Sequence, residues 1–174
     1  MKKMKKPEAI VLHCTATPEG RDVTVKTIRN WHKQRGWDDV GYHFVIGKKG
    51  QLWAGRSLEF QGAHTKGHNK TVGIAYVGGL TADGFKAKDT LNAEQEATLL
   101  RLVATLRAKY GPLALWGHTE LCGGKKACPS FDVIEKFGYE LCLRDDPATE
   151  VKDESEFEAP DGPVQPLDEI VDDE

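Results

Sequence analysis

Three side chains scattered along the sequence are of the types that zinc prefers: His13, His118 and Cys128. Two imidazoles and one thiolate suit a catalytic zinc, which keeps three protein ligands and leaves a fourth position for water or substrate; a structural zinc closes its shell with four. Lys126 stands two residues before the cysteine in Lys125-Lys126-Ala127-Cys128-Pro129. It would place a cation beside the metal-bound group and help lower the thiol pKa. No local CxxC or HExxH pattern ties the three together, so spacing alone leaves open a hydrogen-bonded histidine or a small buried thiol at each position.

The elements that must position these groups are legible in the pattern of apolar residues. Ala9 to His13 is a short buried strand ending on a histidine. Thr24 caps a helix reaching about Arg35, with Val25, Ile28 and Trp31 at helical spacing and Gly36 as its stop. Tyr42 to Ile46 and Gln51 to Ala54 flank the turn Gly47-Lys48-Lys49-Gly50 as a hairpin, which puts Tyr42, Phe44 and Ile46 on one face and His43 on the other. Thr71 to Val77 is a further strand. Asn92 with Gln95 forms a capping box for a helix carrying Leu99, Val103, Leu106 and Tyr110, ended by Gly111-Pro112. Leu113 to Trp116 leads into His118, and a last helix starts at Ser130 or Phe131 with Phe131, Ile134 and Phe137 inward. Alternating strands and helices with one hairpin predict an α/β fold: a mixed central β-sheet flanked by helices. His13 and His118 then lie just past buried strands, where side chains leave a sheet edge and sites form.

Of the 174 residues, 24 are Lys or Arg and 27 are Asp or Glu, for a net charge of -3. That balance conceals an asymmetry. Asp145 to Glu174 holds thirteen acids and one base, Lys152, so the first 144 residues hold 23 bases against 14 acids. The chain divides into a basic domain, residues 8–144, and an acidic tail, residues 145–174, whose prolines and sparse apolar residues predict disorder or loose docking. A basic body suits an anionic polymer, and the tail is expected to shield it. The bases are scattered, not clustered with aromatics, which argues against nucleic acid. No apolar run approaches the roughly 20 residues of a membrane span. The run after Met1-Lys2-Lys3 is too short for a secretory signal, so the expectation is cytoplasmic synthesis. A reducing compartment keeps the four cysteines as thiols or metal ligands.

Several segments together resemble one family. Ile10-Val11-Leu12-His13-Cys14-Thr15-Ala16-Thr17, Ile28-Arg29-Asn30-Trp31-His32-Lys33, Gly36-Trp37-Asp38-Asp39-Val40-Gly41-Tyr42-His43-Phe44 and Ala127-Cys128-Pro129-Ser130-Phe131-Asp132 are similar to the zinc-dependent N-acetylmuramoyl-L-alanine amidases, in particular the small phage endolysins. The likeness runs in order from about Ala9 to Tyr139. It implies a peptidoglycan hydrolase that cuts the amide between the lactyl group of N-acetylmuramic acid and L-alanine by zinc-activated water. It implies His13, His118 and Cys128 as zinc ligands and places Tyr42 and Lys126 at the family's two catalytic positions. Gly62-Ala63-His64-Thr65-Lys66-Gly67-His68-Asn69 resembles the segment of the cleft that contacts substrate, which makes His64 a substrate-binding residue. Two departures stand out: the stretch from His118 to Cys128 is lengthened, with Cys122 and Gly123-Gly124, and the acidic tail has no counterpart. Tyrosine's ordinary pKa near 10 makes Tyr42 an acid and oxyanion donor before it is a base.

The resemblance also implies a monomer released onto the wall after synthesis. Two other functions stay open: a non-catalytic peptidoglycan-binding module, as among recognition relatives that lose the cysteine, and a regulator, since some phage members also bind RNA polymerase. Among the other side chains, His32 reads as a surface or packing residue of its helix, His43 is expected to make a structural or outer contact, and Cys14 to point away from the metal. Cys122 lacks the Lys-Ala-Cys-Pro setting, Cys142 is inert and Glu120 is a solvated loop acid. Trp53 and Trp116 read as core, and Trp37 as either core or sugar platform.

Overall fold

The computed structural model describes residues 1–145; the acidic segment beyond Asp145 lies outside them. A five-stranded sheet forms the centre, in the order β4 (Leu52–Ala54), β3 (Phe44–Ile46), β5 (Val72–Tyr76), β1 (Ile10–Cys14), β7 (Leu115–Gly117). β3, β5, β1 and β7 run parallel and β4 returns antiparallel as the edge, so the sheet is mixed as expected. A small parallel pair, β2 (Thr17–Pro18) with β6 (Gly79–Leu80), extends from the ends of β1 and β5. Parallel order requires crossovers, and helices supply them on both faces.

α2 (Ala93–Tyr110) starts at the capping box: the Asn92 side chain accepts from the Gln95 N–H and the Gln95 side chain from the Asn92 N–H. Its Leu99, Leu102, Val103 and Leu106 pack with Ile10, Leu12, Ile74 and Tyr76 on one face of the sheet. α4 (Val133–Cys142) joins that side through Val133 and Cys142. α1 (Val25–Gln34), capped by Thr24, covers the other face, where Val25 and Ile28 meet Val40, Val45 and Val77. Each fully buried aliphatic side chain contributes about 1.5–3 kcal/mol.

The structure differs from the pattern reading in four places. β3 begins at Phe44: ahead of it the His43 and Tyr42 carbonyls accept from the consecutive Gly55 and Arg56 N–H groups, which breaks the regular ladder, and the Gly41 N–H turns to His32 and its carbonyl to Ala63. Tyr42 therefore stands outside the strand and packs with the α1-side cluster, across the sheet from Phe44 and Ile46. α4 begins at Val133, not at Ser130 or Phe131, because Asp132 is the residue that caps it, accepting the Glu135 N–H. The packed body extends upstream of residue 8: Lys3 pairs with Phe60, the Met4 N–H donates to Glu59, and the Met4 side chain is buried. Finally, a one-turn helix, α3 (His118–Leu121), follows β7 directly.

Candidate metal centre

His13 is the fourth residue of β1 and His118 the first after β7, the adjacent parallel strand. Both therefore reach the carboxyl end of the sheet side by side, with ring centroids 4.5 Å apart. Cys128 lies on the loop that follows α3, and the Thr119 N–H donating to the Cys128 carbonyl at 2.7 Å closes that loop beside His118. One donor atom from each of His13, His118 and Cys128 lies within 4.8 Å of the others. His13 Nδ1 is 3.6 Å from Cys128 Sγ. Zinc–nitrogen and zinc–sulfur bonds at a tetrahedral angle span roughly 3.6 Å, so this pair already has the separation a shared zinc requires.

The surroundings favour neutral imidazoles and a supported sulfur. His13 is held well below the ordinary histidine range by burial and then by His64, His118 and Lys126, and His118 is lowered by burial and Lys126. Neutral imidazole is the ligating form. The neighbouring Cys14 thiol and burial raise Cys128, while the Cys14 backbone N–H, donating to Cys128 Sγ at 3.2 Å, and Lys126 act in the opposite sense. Lys126 itself is exposed on the loop, where its charge reaches all three donors.

Tyr42 is half-buried, its ring 5.1 Å from His13 and 5.5 Å from His32. Burial, then Cys128 and Cys14, push its phenol upward, so it keeps its proton at neutral pH. Its hydroxyl has no hydrogen-bond partner among the described residues, and no buried side-chain oxygen there lacks one; that hydroxyl meets solvent. His32 does the holding: Nδ1 accepts the Gly41 N–H at 2.9 Å, and the ring packs on Trp37 and Tyr42. Of the surface and packing roles open to it on its helix it takes the buried one, with an added grip on the Tyr42 segment.

His64 stands directly beside His13 and is partly buried. Its Nδ1 is 3.0 Å from His13 Nε2, and its Nε2–H donates to the Thr71 carbonyl at 3.1 Å, so both ring nitrogens are engaged inside the fold. His43 is structural, its Nδ1 accepting the Gly73 N–H and its Nε2–H donating to the Phe60 carbonyl. Cys14 packs its sulfur into the core near Ser130, and Cys122 Sγ turns to the Thr119 carbonyl, outside the donor cluster. Cys142 is buried. Glu120 departs from the solvated acid expected: it accepts the Gly117 N–H at 2.6 Å and pairs with Arg144, whose guanidinium stacks 3.7 Å from the Trp116 ring centroid. Trp37 is the one tryptophan with an exposed ring, at 38%. The His64 placement escaped the sequence reading; its available signal was Gly73, a glycine inside a strand, which marks close approach of another group.

Residues 3–131 match the family described as N-acetylmuramoyl-L-alanine amidase. The endolysin of Escherichia phage T7 is 42% identical over 133 residues, covering 76% of this chain and 86% of its own. Among solved structures, the endolysin amidase LysCS from Clostridium intestinale URNW superposes with a TM-score of 0.66 at 30% identity, covering 78% of this chain and 84% of its own. Drosophila PGRP-LB superposes with a TM-score of 0.62 at 25% identity, covering 74% and 78%.

Proposed function

The chain belongs to the N-acetylmuramoyl-L-alanine amidase family and is a peptidoglycan hydrolase; from that footing we propose that it cuts the amide between the lactyl group of N-acetylmuramic acid and the L-alanine of the stem peptide, with zinc held by His13, His118 and Cys128. The observation that carries this reading is the convergence of one donor atom from each of the three within 4.8 Å, at the carboxyl ends of two adjacent parallel strands. Bound there, zinc supplies Lewis acidity and makes a water nucleophilic near neutral pH.

The chain's own groups then have separable tasks. Tyr42, protonated and with a solvent-facing hydroxyl beside His13, donates to the oxygen on which negative charge develops and can pass a proton to the departing L-alanine amine. Lys126 adds a positive charge at the same place from the exposed loop. His32 keeps the Gly41-Tyr42 backbone in register with the site through its bond to the Gly41 N–H. The catalytic unit is the body preceding residue 145. No helix among the described residues is long and apolar enough to cross a membrane, and in line with relatives named endolysins we place its action on the bacterial wall after release from the cell that made it. The polymerase contact raised by the resemblance gains no support and is not proposed.

The test is direct. Purified full-length protein incubated with cell walls should release free L-alanine amino groups, a chelator should stop the release, and added zinc should restore it. Binding to walls without release, at one zinc per chain, would leave a recognition module in place of a hydrolase.

A further inference from the structure

His64 sits behind His13 in a seat cut for its ring. A Cβ on Gly73 would lie 2.5 Å from His64 Cδ2, and one on Gly62 would collide with the same ring, so the pocket exists because two glycines leave it open. Asn69 fixes the segment, its Oδ1 accepting both the His64 N–H and the Thr65 N–H at 3.0 Å.

The ring's hydrogen bonds permit one proton arrangement. The Thr71 carbonyl can only accept, so His64 Nε2, 3.1 Å away, carries a hydrogen. A neutral imidazole then has a bare Nδ1, and that atom faces His13 Nε2 at 3.0 Å. Two bare nitrogens at that distance would repel, so His13 Nε2 bears the hydrogen and donates. Thr65 Oγ1, 3.0 Å from His64 Nδ1 and 3.4 Å from His13 Nε2, does not alter this: if it donates to His64, it can only accept from His13. Either way the lone pair of His13 is left on Nδ1, the atom 3.6 Å from Cys128 Sγ.

We propose that His64 is a positioning residue which, through the relay Thr71 carbonyl–His64–His13, locks His13 in the tautomer whose Nδ1 can ligate the metal. A ligating histidine commonly donates its other N–H to a carboxylate, carbonyl or water, which fixes its orientation. Here a second histidine takes that part, itself oriented by a backbone carbonyl. This inference rests on the zinc site proposed above and gives His64 a role toward the metal.

Zinc titration of the full chain by chelator competition tests both readings and separates them. Wild-type protein that takes up no stoichiometric zinc would sink the metal site itself. If it binds zinc, two-bond proton–nitrogen correlation spectra of the loaded protein should show His13 protonated at Nε2 with Nδ1 on the metal; protonation at Nδ1 would overturn the relay. His64→Leu should weaken zinc binding about 10- to 100-fold, and His64→Asn, whose side-chain oxygen can replace the Nδ1 acceptor, should recover most of that loss. Unchanged affinity in folded His64→Leu, or equal loss in both folded variants, would also overturn it. Should His64→Leu fail to fold, the wild-type spectrum alone decides.

Discussion

The two faces of the central sheet are made by the same strands and differ in composition: one is wholly apolar, the other mixes apolar residues with histidines. Ile10, Leu12 and Cys14 of β1, Phe44 and Ile46 of β3, and Val72, Ile74 and Tyr76 of β5 all point toward α2 and α4 and form one continuous apolar cluster. The residues between them face the other way: Val11 and His13 in β1, Val45 in β3, and Gly73 and Ala75 in β5, with His43 just ahead of β3. On that side the apolar cluster is small, and the space left by Gly73 is filled by the ring of His64. Period-two alternation therefore lets one strand anchor the fold and present a ligand at the same time. Stability should be concentrated on one face and chemistry on the other.

Substitutions that touch only one face should separate these properties. The largest effect is expected from Cys128→Ser, which should abolish both zinc uptake and L-alanine release while the metal-free protein keeps its circular dichroism spectrum; retention of stoichiometric zinc would remove Cys128 from the ligand set. Tyr42→Phe comes next. Losing one donor to a developing oxyanion costs about 10²- to 10³-fold in turnover, and zinc content should stay at one per chain. A loss of zinc instead would make the Tyr42 hydroxyl a structural group.

Leu99→Ala acts from the opposite face. Leu99 is fully buried against the apolar side of the sheet, and truncating such a side chain costs about 2–5 kcal/mol. Denaturant unfolding should show that loss, with zinc stoichiometry and turnover of the folded fraction unchanged. A coupled fall in zinc affinity would mean the two faces do not behave separately.

The division was only partly legible beforehand. β1 could be read because an apolar run of strand length ends on a histidine, and α2 because Asn92 and Gln95 announce its start. The three donor residues could be picked out by type, although the sequence holds them up to 115 positions apart. Strict alternation puts Tyr42 on the face of Phe44 and Ile46, but the irregular bonding of Tyr42 and His43 to Arg56 and Gly55, and the bond from Gly41 to His32 of α1, depend on distant partners and leave no local trace. The two-residue strands β2 and β6 are too short to show a period. The role of His64 depends on a partner 51 positions away and on two glycines that make room, so no motif centred on the residue could state it.

Acid distinguishes the faces by charge. His32 and His43 are both held down to about 4, from an ordinary 6.5. Burial is the main cause for each. Arg35 and Arg56 add to it at His32 against an opposing Asp39, while at His43 the Phe60 carbonyl opposes and Arg56 assists. Because the folded protein keeps both rings neutral, the unfolded chain binds more protons between about 4 and 6.5, and stability must fall as pH drops through that window. Their contribution is complete above 6.5 and gone below about 4. Thermal unfolding of the metal-free protein should therefore show Tm declining from pH 7 to pH 5, and His43→Gln should lessen the decline. Leu99→Ala, on the apolar face, should lower the whole curve without changing its slope; an altered slope there would show that the proton-sensitive groups draw on both faces of the sheet.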